Sequence, residues 1–110
     1  MAESTIVEVI TYLGRALRRR GLHIEKLILF GSHARGQAHD ESDIDIAVVS
    51  SDFEGKDIFE RVELTAEAEA ETIKKFVVPI DIVMFTPAEY ESATSPVAAF
   101  VREGTDVPTA

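Results

Sequence analysis

The chain has 110 residues, 45% hydrophobic and 28% charged, with a net charge of −9 and no cysteine. That length suits one domain, residues 1–110, able to bury about two-thirds of its unfolded surface, and the composition is that of a globular rather than a disordered protein. The acidic balance disfavours autonomous nucleic-acid binding, which needs clustered Lys and Arg, and the lack of cysteine removes disulfides and thiolate metal sites. No apolar run reaches the roughly 18 residues of a membrane span. The opening "MAESTIVEVI" has no basic region ahead of its apolar residues, so the expectation is a cytoplasmic protein without membrane attachment.

In chain order, residues 4 to 20 read as a helix. Ile6, Ile10, Leu13 and Leu17 form one apolar stripe, Ser4 or Thr5 can cap the start, and Gly21 suits the end. Arg15, Arg18, Arg19 and Arg20 near its C-terminus are better explained by the helix dipole than by a phosphate-binding patch. "KLILF" is a short apolar run, read as a strand buried on both faces. "GSHARG" follows as a turn that opens a short helix, and "DIDIAVV", residues 43 to 49, reads as the second strand. "SSDFEGK" is read as a loop. A long helix over 57 to 76 is expected to turn Phe59, Val62, Ala66, Ala70 and Ile73 inward. Glu60, Glu63, Glu67 and Glu71 would face water, with Glu71 paired to Lys75. "VVPIDIVMF" is a third strand, with Pro79 near its start as an edge tolerates. Thr86, Pro87 and Glu89 make a capping box, and "SPVAAFVREG" is a second short helix ending at Gly104. The fold class expected is α+β: a small mixed sheet flanked by helices.

Within that frame the charged residues of the strands stand out. Alternation puts Asp43 and Asp45 on one face and Ile44, Ile46 and Val48 on the other. Asp81 is the only charged residue in its strand, and it can reach the first two if the strands are neighbours. Two carboxylates about 4 Å apart repel by about 4 kcal/mol at an effective dielectric of 20, so such a cluster calls for protonation or a cation. Oxygen ligands without His or Cys select Mg²⁺ or Mn²⁺, and a Mg²⁺ held by one or two carboxylates takes phosphate oxygens as further ligands. Gly31 and Ser32 supply free N–H groups and a hydroxyl for an anion, Arg35 offsets further charge, and Gly36 lets the chain turn again. Arg35 has a second reading as the ion-pair partner of Asp40 or Glu41. Ser32 has one as a helix N-cap, and Ser42 has one as a residue that only orients Asp43. His23, His33 and His39 read as exposed or loop residues, and Tyr12 and Tyr90 as packing residues. A calcium loop does not fit, because "DESDIDIAV" has no glycine at the turn position and runs straight into a strand. A dehalogenase-type phosphatase is equally unsupported, since the lysine and later acidic pair are missing.

"GSHARGQAHDESDIDIAVV", with Gly-Ser, ten residues and Asp-x-Asp, followed by Asp81 in an apolar strand, resembles the signature of the DNA polymerase beta-like nucleotidyltransferase superfamily. The short chain and "VPIDIVMFTPAEYE" make it similar to the minimal nucleotidyltransferases, and the resemblance runs from the first strand through Glu91. It implies that Gly31 and Ser32 hold the β- and γ-phosphates of ATP or another nucleoside triphosphate. Asp43 and Asp45 would ligate two Mg²⁺ ions, and Asp81 would complete the second site and help deprotonate the acceptor hydroxyl. It further implies transfer of a nucleoside monophosphate, most plausibly AMP, to a hydroxyl on a partner, with a HEPN-type protein as acceptor in a toxin–antitoxin pair. The alternative is an antitoxin or subunit that neutralises its partner by contact alone. Homo- and hetero-oligomers are both compatible with the sequence.

Overall fold

The computed structural model describes residues 3–38 and 42–108. His39, together with Asp40 and Glu41, the expected partners of Arg35, lies outside the described residues. Helix α1 (Glu3–Arg19) is followed by β1 (Lys26–Phe30), the one-turn helix α2 (Gly31–Ala34) and β2 (Ile44–Val49). Helix α3 (Ile58–Phe76), β3 (Ile80–Phe85), α4 (Pro87–Tyr90), α5 (Pro96–Arg102) and β4 (Thr105–Val107) complete the chain. The four strands form one mixed sheet in the order β3-β2-β1-β4. β1 runs antiparallel to both β2 and β4, whereas β3 runs parallel to β2. Parallel neighbours need a long crossover, and α3 supplies it. Among the described residues no helix is long and apolar enough to cross a membrane.

Alternation along the strands divides the core in two. Leu27, Leu29, Ile44, Ile46, Val48 and Ile80 meet the buried stripe of α1 (Ile6, Ile10, Leu13, Leu17) and Ala68 of α3. On the opposite face Ile28, Phe30, Ala47, Val49 and Phe85 pack against Tyr90, Ala98 and Val101 from α4 and α5. The α1 stripe, the Gly21 stop (φ +89°) and both proline-started short helices are as the sequence leads one to expect. Leu22 N–H donates to Leu17 O at 3.1 Å, the long bond of a Schellman motif. Ser4 and Thr5, expected as caps, lie inside α1.

Four differences have identifiable causes. Residues 77–79 do not extend β3, because α3 ends in a left-handed cap at Val77 (φ 53°), which points its side chain outward, 84% exposed. "SSDFEGK" is not wholly loop: Ser51–Phe53 forms a 3₁₀ turn, capped by the Ser50 hydroxyl, and buries Phe53 completely. Strand β4 has only three residues and two of them are exposed, so no alternation marks it; its partner β1 defines it. Finally, α3 is rotated relative to the expected face. Phe59 is 76% exposed and Val62, Ala66 and Ala70 also face water, whereas Ile73, as expected, packs against the core while partly covered. Thr65, Ala68 and Thr72 point inward instead, and Thr72 satisfies its hydroxyl by donating to Ala68 O at 2.8 Å.

The rotation is set by the contact with α1. Glu71 faces α1 and not water: it accepts from the Tyr12 hydroxyl and pairs with Arg19 (2.8 Å) and Arg20 (3.0 Å), while Lys75 lies over the rings of Tyr12 and Phe76. Arg19 and Arg20 are therefore interhelical partners as well as complements of the helix dipole. At the other end of α3, Arg61 makes a two-pronged pair with Glu89 (2.7 and 3.2 Å), and Glu89 also closes the capping box of α4.

Two stability measurements test this packing. The Tyr12, Arg19 and Arg20 donors hold the Glu71 carboxyl at about 2, down from the ordinary 4.5. A depressed carboxyl stabilises the fold above its unfolded pKa, so this contribution is present above about pH 4.5 and disappears as pH falls toward 2. Glu71→Gln should flatten that part of the acid limb in urea titrations at successive pH values, while lowering stability at neutral pH. A Cβ on Gly104 would sit 2.3 Å from Leu29 O, so Gly104→Ala should push β4 off β1 and cost about 1–3 kcal/mol in the same assay.

Candidate functional site

Phe30 lies directly across the ladder from Asp45. The next residue, Gly31, has φ +75°, and a Cβ there would fall 2.1 Å from Asp45 Oδ2. Only glycine lets the chain leave β1 over that carboxylate. Gln37 N–H donates to Ser32 O at 2.9 Å, and Gly36 (φ +69°) allows the second turn. His33 Nε2 donates to Ser42 O at 3.2 Å, tying the outgoing arm of this connection to the returning one. The ten-residue spacing between Ser32 and Asp43 is thus the length of one hairpin connection, whose two ends meet at the same edge of the sheet.

On the other side of β2, Asp45 pairs in register with Asp81 of β3. Asp45, Ala47 and Val49 share a face, as do Asp81, Val83 and Phe85, and the apolar members of both sets pack in the α4–α5 cluster. The two carboxylates therefore lie side by side on that face, beyond the part that α5 covers. Asp45 is half-buried and Asp81 exposed. Asp43 is exposed and just precedes β2 instead of belonging to it, yet its charge reaches Asp45. Burial pushes the Asp45 carboxyl up, the charges of Asp81 and Asp43 push it further, and His33 draws it partly back.

Arg35 has an aromatic neighbour that the sequence does not announce. Its guanidinium lies 4.6 Å from the centre of the Phe100 ring, and Phe100 packs edge-on against Phe30. That stacking keeps the cation beside the Gly31 turn. Ser32 is half-buried in the first turn of α2, and Ser42 borders Asp43. His23 is an exposed side chain whose backbone N–H donates to Asp52 at 2.8 Å, away from the acidic pair. One further acid feels the site. The Glu69 carboxyl on α3 is raised by burial and then by the charge of Asp81. Nothing in a Glu-rich helix distinguishes position 69, and only the fold brings it near the strand.

Hard oxygen donors beside a side-chain-free glycine suit a small divalent cation that takes one or two protein ligands and completes its shell elsewhere. Among the described residues, no three His, Cys, Asp or Glu side chains stand together as a ready-made metal cage. The Asp45–Asp81 pair fits an ion that arrives with an anionic ligand better than one resident in the protein alone.

The sequence matches the model of the nucleotidyltransferase domain over residues 10–104, and the chain belongs to that family of transferases. Its architecture is that of the minimal nucleotidyltransferases. A solved structure assigned to that group superposes with a TM-score of 0.62 at 22% identity, covering 98% of this chain and 96% of the other. A nucleotidyltransferase from Sulfolobus solfataricus gives a TM-score of 0.62 at 22% identity, covering 78% of this chain and 71% of that one. The structure of a toxin–antitoxin with AMP-PNP gives 0.61 at 26% identity, with coverages of 87% and 69%. No curated protein matches the sequence significantly.

The crowding of like charges predicts a cost that can be measured. An acid whose pKa is raised on folding favours the protonated native state, so stability falls as pH rises through its titration. Asp45→Asn should therefore raise the thermal midpoint by a few degrees at pH 7 in EDTA, and the gain should vanish below about pH 4, where the native carboxyl is protonated in any case. An unchanged or lower midpoint at pH 7 would contradict the electrostatic description of the pair.

Proposed function

We propose that this chain transfers a nucleoside monophosphate, AMP from ATP, to a hydroxyl on a partner protein, acting as the antitoxin of a pair whose toxin is of the HEPN type. The observation that carries the reading is the in-register Asp45–Asp81 pair beside Gly31, in a chain that belongs to the nucleotidyltransferase family. Its likeness to a toxin–antitoxin with AMP-PNP supports both the nucleotide and the partner.

In this reading Asp43, Asp45 and Asp81 hold Mg²⁺, or Mn²⁺ in its place. Divalent ions bound there supply positive charge to the phosphates and lower the pKa of the attacking hydroxyl. The backbone at Gly31 and the Ser32 hydroxyl grip the terminal phosphates, whose approach is open because Gly31 has no side chain. Arg35, held on Phe100, adds a cation on the same side, and Ser42 fixes the chain into Asp43. Asp81, the more exposed of the strand pair, takes the proton of the acceptor hydroxyl. The acceptor oxygen bonds to the α-phosphorus, the bond from that phosphorus to the bridging oxygen breaks, and pyrophosphate leaves with the electron pair. Nucleotide and metal together neutralise a site that repels itself, which is how a protein of net charge −9 can bind an anion.

The test uses ATP labelled at the α-phosphate, MgCl₂ and the protein encoded beside this one as acceptor. Label should move to the acceptor from α-labelled but not γ-labelled ATP and should be lost in EDTA. Asp43→Asn/Asp45→Asn and Asp81→Asn should each reduce transfer by ~10²-fold or more, the scale seen when one element of charge stabilisation is removed. Undiminished transfer by the double variant would refute the site. Neutralisation of the partner by that variant, with no transfer by either protein, would instead establish an antitoxin that works by contact.

A further inference from the structure

Helix α3 is apolar on two opposite sides. Its inner side is spent on the core through Ala68, Thr65 and Thr72. On the outer side Phe59, Val62, Ala66 and Ala70 recur at helical spacing and form a stripe almost half a turn away from the buried one, and Val77, the left-handed cap after the helix, is exposed beyond its end. Phe59 and Val77 are 76% and 84% exposed. A solvent-facing helix gains nothing from such a stripe, whereas a helix that docks on another surface does.

We infer that the occupant of this face is a second copy of the chain, with the two α3 helices packed antiparallel about a two-fold axis level with Ala68. The stripe is self-complementary. In that alignment Phe59 of one chain lies level with Val77 of the copy, and Ala66 lies level with Ala70 of the copy. Large side chains thus sit at the ends and alanines at the centre, where the helices cross closest. The charges agree. Glu63 and Lys74 lie on the same flank of the stripe, and an antiparallel two-fold sets Glu63 against Lys74 of the copy on both sides. Among the described residues neither Glu63 nor Lys74 is in an ion pair within its own chain. A parallel pairing would place Phe59 on Phe59 and carry the copy's Glu63 and Lys74 to the opposite flank, leaving these charges without each other. The helix spans about 28 Å at 1.5 Å per residue, so this contact lies at the small end of stable interfaces and the association is weak and reversible. The Asp45–Asp81 pair lies on the other face of the sheet and stays open in such a dimer, so this inference does not depend on nucleotide transfer.

Sedimentation equilibrium of the full chain decides it, run in 0.15 M salt to screen the net charge and from ~10 μM to ~1 mM, where a contact of this size dissociates. The mass should climb from one chain toward two. Phe59→Asp should raise the dissociation constant at least ~10-fold, as replacing a large apolar contact by a charge does, with an unchanged urea midpoint because Phe59 is exposed. Glu63→Lys and Lys74→Glu should each weaken the dimer, the combined swap should restore it, and the two single variants should associate when mixed. A single-chain mass across the whole range, a dimer indifferent to Phe59→Asp, or a double swap as weak as the single variants would overturn the inference. So would a monomeric chain whose Phe59→Asp variant loses only its hold on the neighbouring-gene protein.

Discussion

The arrangement turns on two aspartates placed directly across a parallel ladder. Adjacent strands are about 4.8 Å apart, and two ionised carboxylates at that distance repel by about 3 kcal/mol at an effective dielectric of 20. Among the described residues the charges acting on Asp45 come from Asp81, Asp43 and His33 and not from a Lys or Arg; the fold places Asp81 on the exposed edge strand and leaves Asp45 only half-covered. The upward push on Asp45 registers the tension that remains. Stability is conceded at this one spot, a cost that the proposed binding of a cation together with an anion would offset.

The rest of the topology keeps that spot open. The face bearing Leu27, Ile44 and Ile46 is covered by two long helices, α1 and α3, and carries most of the core. On the other face the cover is two short helices, and the acidic end of the strands extends beyond it. The β1–β2 hairpin brings Gly31 to the level of Asp45, and the α3 crossover brings Asp81 to the same level from the opposite flank. A glycine at 31 and an aspartate at 45 are thus one steric decision: 2.1 Å between a hypothetical Cβ and Oδ2 admits no other residue without moving the carboxylate.

Much of this was legible in the sequence because the local rules and the fold agree. The α1 stripe, the apolar run of β1, the proline-started helices and the facing of Asp45 and Asp81 across neighbouring strands follow from periodicity, capping chemistry and the oddity of a charge inside an apolar run. What escaped was set by partners rather than by pattern. Strand β4 exists because β1 has a free edge and Gly104 lets the chain approach within contact of Leu29. Arg35 lies over an aromatic ring from α5, and Glu69 comes close to Asp81 only through the packing of α3. No local signal encodes any of these.

The rotation of α3 is the instructive failure. A hydrophobicity pattern names apolar stripes but not which of two will be buried, and α3 carries two. The choice went to the side with Thr65, Ala68 and Thr72, which packs Leu64, Ile73 and Phe76 against the core but at the cost of burying two threonine hydroxyls. Two features outweigh that cost. Threonine hydroxyls in a helix can return their hydrogen bond to the preceding turn, so burying them leaves no donor unsatisfied. The same rotation aligns Glu71 with Tyr12, Arg19 and Arg20 and aligns Arg61 with Glu89, fixing the helix at both ends by charge-assisted bonds. The polar ends of the helix choose its orientation, and a second apolar stripe is left facing outward as a consequence.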